Sequence, residues 1–123
     1  MILSFSKDYF KEKIINHSKV TTIRQDKGKR WREGLSIEFW RGSPRNKSQN
    51  PYQFGVATCS FVRPIIIDIA NQRIYFDYQW WKSLEHKVDI DRFVIGDGFA
   101  NQKEFFQFFK ETYQTEYFEG VLI

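Results

Sequence analysis

Lys19, Thr22 and Arg24 put an ammonium, a hydroxyl and a guanidinium on one short, β-branched segment. Such a set suits a polar ligand that is anionic or carries a nucleobase. A guanidinium grips phosphate or carboxylate through two parallel hydrogen bonds, and a lysine whose pKa is lowered by burial can take a proton from a nearby hydroxyl. Side chains two apart on a strand share a face, so Thr22 and Arg24 belong together. Lys19 and Thr22, three apart, meet only if the chain bends near Lys19. Taken singly, the three also have plainer accounts: a solvated lysine, an ordinary strand threonine, and an arginine paired with an acidic residue such as Asp97.

The segment runs straight into Asp26-Lys27-Gly28-Lys29-Arg30-Trp31-Arg32. Residues 19–47 hold nine basic and three acidic side chains, net +6, whereas residues 48–123 hold seven basic and ten acidic, net −3. Positive charge gathered in one segment is the electrostatic footprint of a nucleic-acid binder, and it also serves as a solubilising surface or meets an acidic protein. Lys27, Lys29, Arg30 and Arg32 are the candidate phosphate contacts. Trp31 either stacks a base among them or anchors the loop in the core.

Other chemistries lack their residues. A single cysteine, Cys59, allows no internal disulfide and no Cys-rich zinc site, and its apolar neighbours predict a buried thiol. His17 and His86 have no partners at metal-ligand spacing, and no phosphate-cradling glycine loop, dinucleotide fingerprint or serine elbow occurs, so neither metal nor cofactor is expected. No apolar run approaches ~20 residues and no signal peptide is evident, so a cytoplasmic protein without membrane contact is expected.

The elements that must position these side chains are legible from patterning. At 123 residues one domain, 1–123, is expected. Residues 2–5 read as a strand. Ser6 would cap a helix over 7–16 with Phe10 and Ile14 inward, and 20–24 would be a strand. Residues 36–40 alternate as a half-buried strand, 41–51 form a long loop, 53–62 form a strand, and Pro64 marks a break or an edge. Residues 65–69 and 73–77 make a hairpin through Asn71-Gln72, and Tyr78 with Trp80 shares a face suited to stacking. A short helix over 89–95 breaks at Gly96-Asp97-Gly98. Asn101 to Glu104 is a capping box for a last helix whose inner stripe is Phe105, Phe108, Phe109 and Tyr113, and 117–123 closes the sheet. The predicted architecture is α+β, a mixed β-barrel with two or three flanking helices.

With Lys19, Thr22 and Arg24 after the first helix and Asp97-Gly98-Phe99 before the last, the chain resembles the ASCH domains of the PUA-like superfamily over nearly its whole length. The family pattern is Gly, any, Lys, any, any, Thr, any, Arg; His17 stands where that pattern has glycine. The resemblance implies a PUA-like barrel with a cleft for RNA or a nucleotide. In some members it implies amide hydrolysis on acetylcytidine or a related modified nucleoside, and in others ribonuclease activity. By carry-over Lys19 is base or activator, Thr22 the nucleophilic or water-positioning hydroxyl, and Asp97 the carboxylate, with Glu85 and Glu104 as competitors for that role. The expectation is binding of RNA or a nucleotide, with the hydrolase, a ribonuclease and a protein-interaction module as alternatives.

Overall fold

The computed structural model describes residues 1–77, 79–84 and 87–123, the side chains of 79–83, 87 and 88 excepted. Its elements run β1 (Ile2–Phe5), α1 (Asp8–Ile15), β2 (Ile23–Arg24), β3 (Ser36–Arg41), β4 (Tyr52–Thr58), β5 (Arg63–Asp68), β6 (Arg73–Phe76), β7 (Gln79–Leu84), α2 (Lys87–Gly96), α3 (Gln102–Tyr113) and β8 (Tyr117–Leu122). The class is α+β. Among the described residues the strands form two sheets, one ordered β1-β3-β4 and one ordered β2-β8-β5-β6-β7, and neither closes on itself.

The central strand of the larger sheet is β5, and its Ile65-Ile66-Ile67 run is buried throughout. A strand covered on both faces reads as continuously apolar, so this run carries no alternation. Pro64, expected as a break, lies inside β5 opposite Val121. It is tolerated because β6 pairs only from Ile65 onward, and the Pro64 carbonyl accepts from the Asp77 N–H. The β5–β6 hairpin turns at Asn71-Gln72, with Asp68 accepting from the Asn71 N–H and Gln72 left-handed at φ 53°.

Aromatic packing joins α3 to this sheet. Phe105 and Phe109 of the expected stripe are buried, and Phe106, outside that stripe, is buried as well. Asn101 caps α3 by accepting from the Glu104 N–H at 2.9 Å. The helix α1 starts without the expected Ser6 cap: Lys7 occupies the cap position and contributes no side-chain hydrogen bond. Phe10 buries its face against Phe99, ring centroids 5.3 Å apart, and Ile14 packs on the same core.

Of the expected strand over 20–24, only Ile23 and Arg24 belong to β2, with Thr22 extending its pairing to β8 by exchanging backbone hydrogen bonds with Ile123. Val20 and Thr21 spend their N–H groups on the Gly96 carbonyl at the end of α2 rather than on a neighbouring strand. That diversion precedes β2, which belongs to the larger sheet alone, and the two sheets stay separate. The expected strand over 53–62 likewise ends at Thr58.

His17 ends the turn after α1 in the left-handed region, φ 66°. A side chain there costs roughly 1–2 kcal/mol, partly offset in a glycine by extra chain entropy. The position is thus suited to the glycine of the ASCH pattern. His17→Gly is expected to raise stability by about 0.5–1 kcal/mol, read as a higher urea midpoint; an unchanged or lower midpoint contradicts it.

Candidate functional site

The strap between α1 and β2, residues 16–22, brings Lys19, Thr21 and Thr22 against the turn that follows α2. Ser18 and Lys19 N–H groups return to the Lys13 carbonyl, which bends the chain at the lysine. That bend lets Lys19 and Thr22 line the same walls despite their spacing. Both are almost enclosed, Lys19 at 8% and Thr22 at 7% exposure, and Asp97 is at 1%.

Asp97 is where the two halves of the sequence pattern meet. Its carboxylate Oδ1 accepts from the Thr21 hydroxyl at 2.9 Å and stands 3.7 Å from Lys19 Nζ. The ammonium donates to the Thr21 carbonyl at 2.6 Å and to the Asp97 carbonyl, and lies 5.1 Å from the Phe10 ring centre. Gly98 makes this approach feasible. Its φ is 101°, and a Cβ there would sit 2.7 Å from Lys19 Cδ. Lys13 adds a further tie, Nζ to the Gly98 carbonyl at 2.9 Å. Phe99 completes the segment by packing edge-on against Phe105.

Burial dominates the titration of the pair. It draws Lys19 from its usual 10.5 down to about 8, against the attraction of Asp97. It also pushes Asp97 from 3.8 up to about 6, against the attraction of Lys19 and the Thr21 hydrogen bond. Between pH 3.8 and about 6 the folded chain keeps an Asp97 proton that the unfolded chain releases, so this contribution to stability falls as pH rises. Between about 8 and 10.5 the unfolded chain keeps a Lys19 proton that the folded chain has lost, so stability rises with pH. Urea midpoints should therefore show the pair contributing least between pH 6 and 8. The double variant Lys19→Met, Asp97→Asn should flatten that profile, and an unaltered profile counts against the pair as its source.

Two concavities adjoin the strap. The outer cleft, about 130 Å³, is lined by Lys19, Thr21 and Thr22 on one part and by Thr58, Cys59 and Ser60 on another, with Ile37 and Phe39 of β3 between them in sequence. Its volume is close to the ~150 Å³ that accepts a benzene-sized ring. The inner cavity, about 20 Å³, lies among Lys19, Thr22, Arg24, Asp97 and the rings of Phe5 and Phe10. It is water-sized. Thr22 borders both spaces, and its hydroxyl has no hydrogen-bond partner among the described residues.

Arg24 is partly buried, donates from Nη2 to the Ser4 carbonyl at 3.0 Å and lies 5.0 Å from the Phe5 ring centre. It shares the inner cavity with Asp97 and does not line the outer cleft. In the basic loop, Lys27, Lys29, Arg30 and Arg32 are exposed, while Trp31 is half-buried and packed against the core, which is the anchoring role. Asp26 shapes the loop by accepting from the Arg30 and Trp31 N–H groups. Both loop ends are fixed beside the cleft: the loop leaves from Arg24, and at its far end Gly34 and Leu35 exchange backbone hydrogen bonds with Cys59.

The Cys59 thiol is buried, as expected, and burial pushes its pKa up. Glu104 lies on α3 in a different groove, with Lys7 and Tyr9. Glu85, His86 and Tyr78 lie outside the described residues, as does the side chain of Trp80. Sequence reasoning missed Thr21, although Lys19 and Thr21, two apart, obey the same-face rule that joins Thr22 to Arg24. It also missed Thr58 and Ser60, which reach the cleft only through the β3–β4 pairing. No helix among the described residues is long and apolar enough to cross a membrane, and none of their acidic, histidine or cysteine side chains cluster as a metal site. No family model, curated protein or solved structure matches the chain.

Proposed function

We propose that the chain is an ASCH-type, PUA-like domain that binds RNA or a nucleotide, seating one base in the outer cleft and holding phosphates with the basic loop. The observation that carries this reading is the Thr22 hydroxyl. That hydroxyl borders the outer cleft and bonds no described residue, so it is free to pair with a ligand seated there. The cleft has the volume of a single ring, its polar rim comes from Thr21, Thr58 and Ser60, and four exposed cations stand on the loop tied to that rim. Single-stranded or flipped bases are the form that enters such a cleft. The kinship itself rests on the motif halves converging at Asp97-Gly98 and on the order of the elements. Titrating cytidine monophosphate and short single-stranded RNA while following amide shifts tests it. Shifts centred on Thr22, Ile37 and Ser60 support the proposal, and their absence at millimolar ligand contradicts it.

Amide hydrolysis on acetylcytidine or a related nucleoside is the second reading, favoured by a hydroxyl, a carboxylate and a lysine of lowered pKa in one cluster. The hydroxyl in contact with the carboxylate is that of Thr21, not Thr22, and Asp97 oriented by Lys19 is within the reach required of a base toward it. Release of cytidine from acetylcytidine, lost in Lys19→Ala, supports this reading; no release by the intact chain removes it.

A further inference from the structure

The most basic stretch of the chain is divided by β3, the middle strand of the smaller sheet. The loop over 25–35 with Lys27, Lys29, Arg30 and Arg32 enters at Ser36, and the loop over 42–51 with exposed Arg45 and Lys47 leaves at Arg41. Arg41 itself is neutralised by Asp8, 2.7 Å away. Six residues of strand separate the two clusters by about 20 Å.

What lies between them is a sheet face that is open at Ile2, Gln53 and Val56 and half-covered at Ser4 and Trp40. Leu3, Phe5 and Ile37 are buried and Phe39 packs on the core, so the alternate residues of β1 and β3 point the other way. In register across the three strands, that face carries a row of Ile2, Glu38 and Val56 and a row of Ser4, Trp40 and Gln53. Ile2 is 48% and Val56 68% exposed, so no other element covers that row. Trp40 is half-buried, and its indole N–H is buried with no acceptor among the described residues.

We propose that this outward face, centred on Trp40 and Glu38, is a second contact surface for single-stranded nucleic acid, whose bases cross the sheet while its backbone reaches the basic loops at both ends of β3. The proposal rests on the nucleic-acid reading of the cleft and extends it to a different surface. The chemistry is matched to position. Cations stand at the two ends, where phosphates are held. An aromatic ring and apolar neighbours lie in the middle, where bases stack, and the sole carboxylate among those rows, Glu38, can accept from an exocyclic base amine such as that of cytosine.

Fluorescence anisotropy of labelled single-stranded RNA and DNA, with thermal melts of each variant, tests the surface. Val56→Glu puts a charge at a largely exposed position and should leave the melting temperature unchanged while weakening binding about tenfold. Trp40→Leu should weaken it by a similar factor, and Glu38→Gln should reduce any preference for cytosine. If the intact chain binds oligonucleotide and neither Val56→Glu nor Trp40→Leu alters the affinity, the surface is overturned while the cleft reading stands. If the intact chain binds no oligonucleotide, the surface is overturned, and the cleft reading stands or falls on the cytidine monophosphate titration.

Discussion

Replacing Asp97 by alanine is expected to lower the unfolding free energy by about 3–5 kcal/mol, the usual effect of removing one member of a buried ion pair. The destabilisation has three sources. Lys19, almost wholly enclosed, would lose the carboxylate whose attraction opposes burial, and would have only carbonyl oxygens and ring faces around it. The Thr21 hydroxyl would be left without its acceptor. Arg24, on the wall of the same inner cavity, would be left without the carboxylate that balances it. Lys19→Met combined with Asp97→Asn removes both charges and leaves Thr21 an amide oxygen to bond. That double variant should recover at least half of the stability, because replacing a buried pair costs far less than breaking it. Urea denaturation of the three proteins decides the matter. A single variant within about 0.5 kcal/mol of the parent would mean that the pair does not clasp the strap to α2.

The second large effect is expected from the loop. Changing Lys27, Lys29, Arg30 and Arg32 together to alanine touches exposed side chains, so stability should stay within about 0.5 kcal/mol. On a single strand, each phosphate that is no longer neutralised makes the negative slope of log affinity against log salt shallower by about 0.7. Four such phosphates reduce its steepness by about 3 and weaken binding at ~0.1 M salt by roughly 100- to 1,000-fold. The comparison is made by titrating RNA at several salt concentrations. An unchanged slope would place the phosphates elsewhere and leave the loop as a solvated surface.

Much of this arrangement could be read from the chain, for local reasons. Asn101 and Glu104 announce the start of α3, and Asn71-Gln72 announces the hairpin, because caps and turns are made by neighbours in sequence. The meeting of Lys19 with Asp97 was legible only as two halves of one pattern, 78 residues apart. What escaped was set by partners. Val20 and Thr21 look like strand residues, and the Gly96 carbonyl takes their N–H groups. Pro64 looks like a break, and it is harmless where β6 has yet to begin pairing. The expected barrel is not formed: the strands make two separate sheets, and β2, which begins only after the strap is tied to Gly96, belongs to the larger one alone. Trp31 among cations reads equally as a stacking ring or an anchor, and only its packing against the core separates the two.

The central claim is that the Thr22 hydroxyl is held for a ligand and not for the fold, and Thr22→Val tests it with two readouts, stability and affinity. Removing a hydroxyl that bonds no described residue should leave the unfolding free energy within about 0.5 kcal/mol, while affinity for single-stranded RNA or cytidine monophosphate falls about tenfold. A variant that is less stable than its parent and binds as tightly would contradict the account.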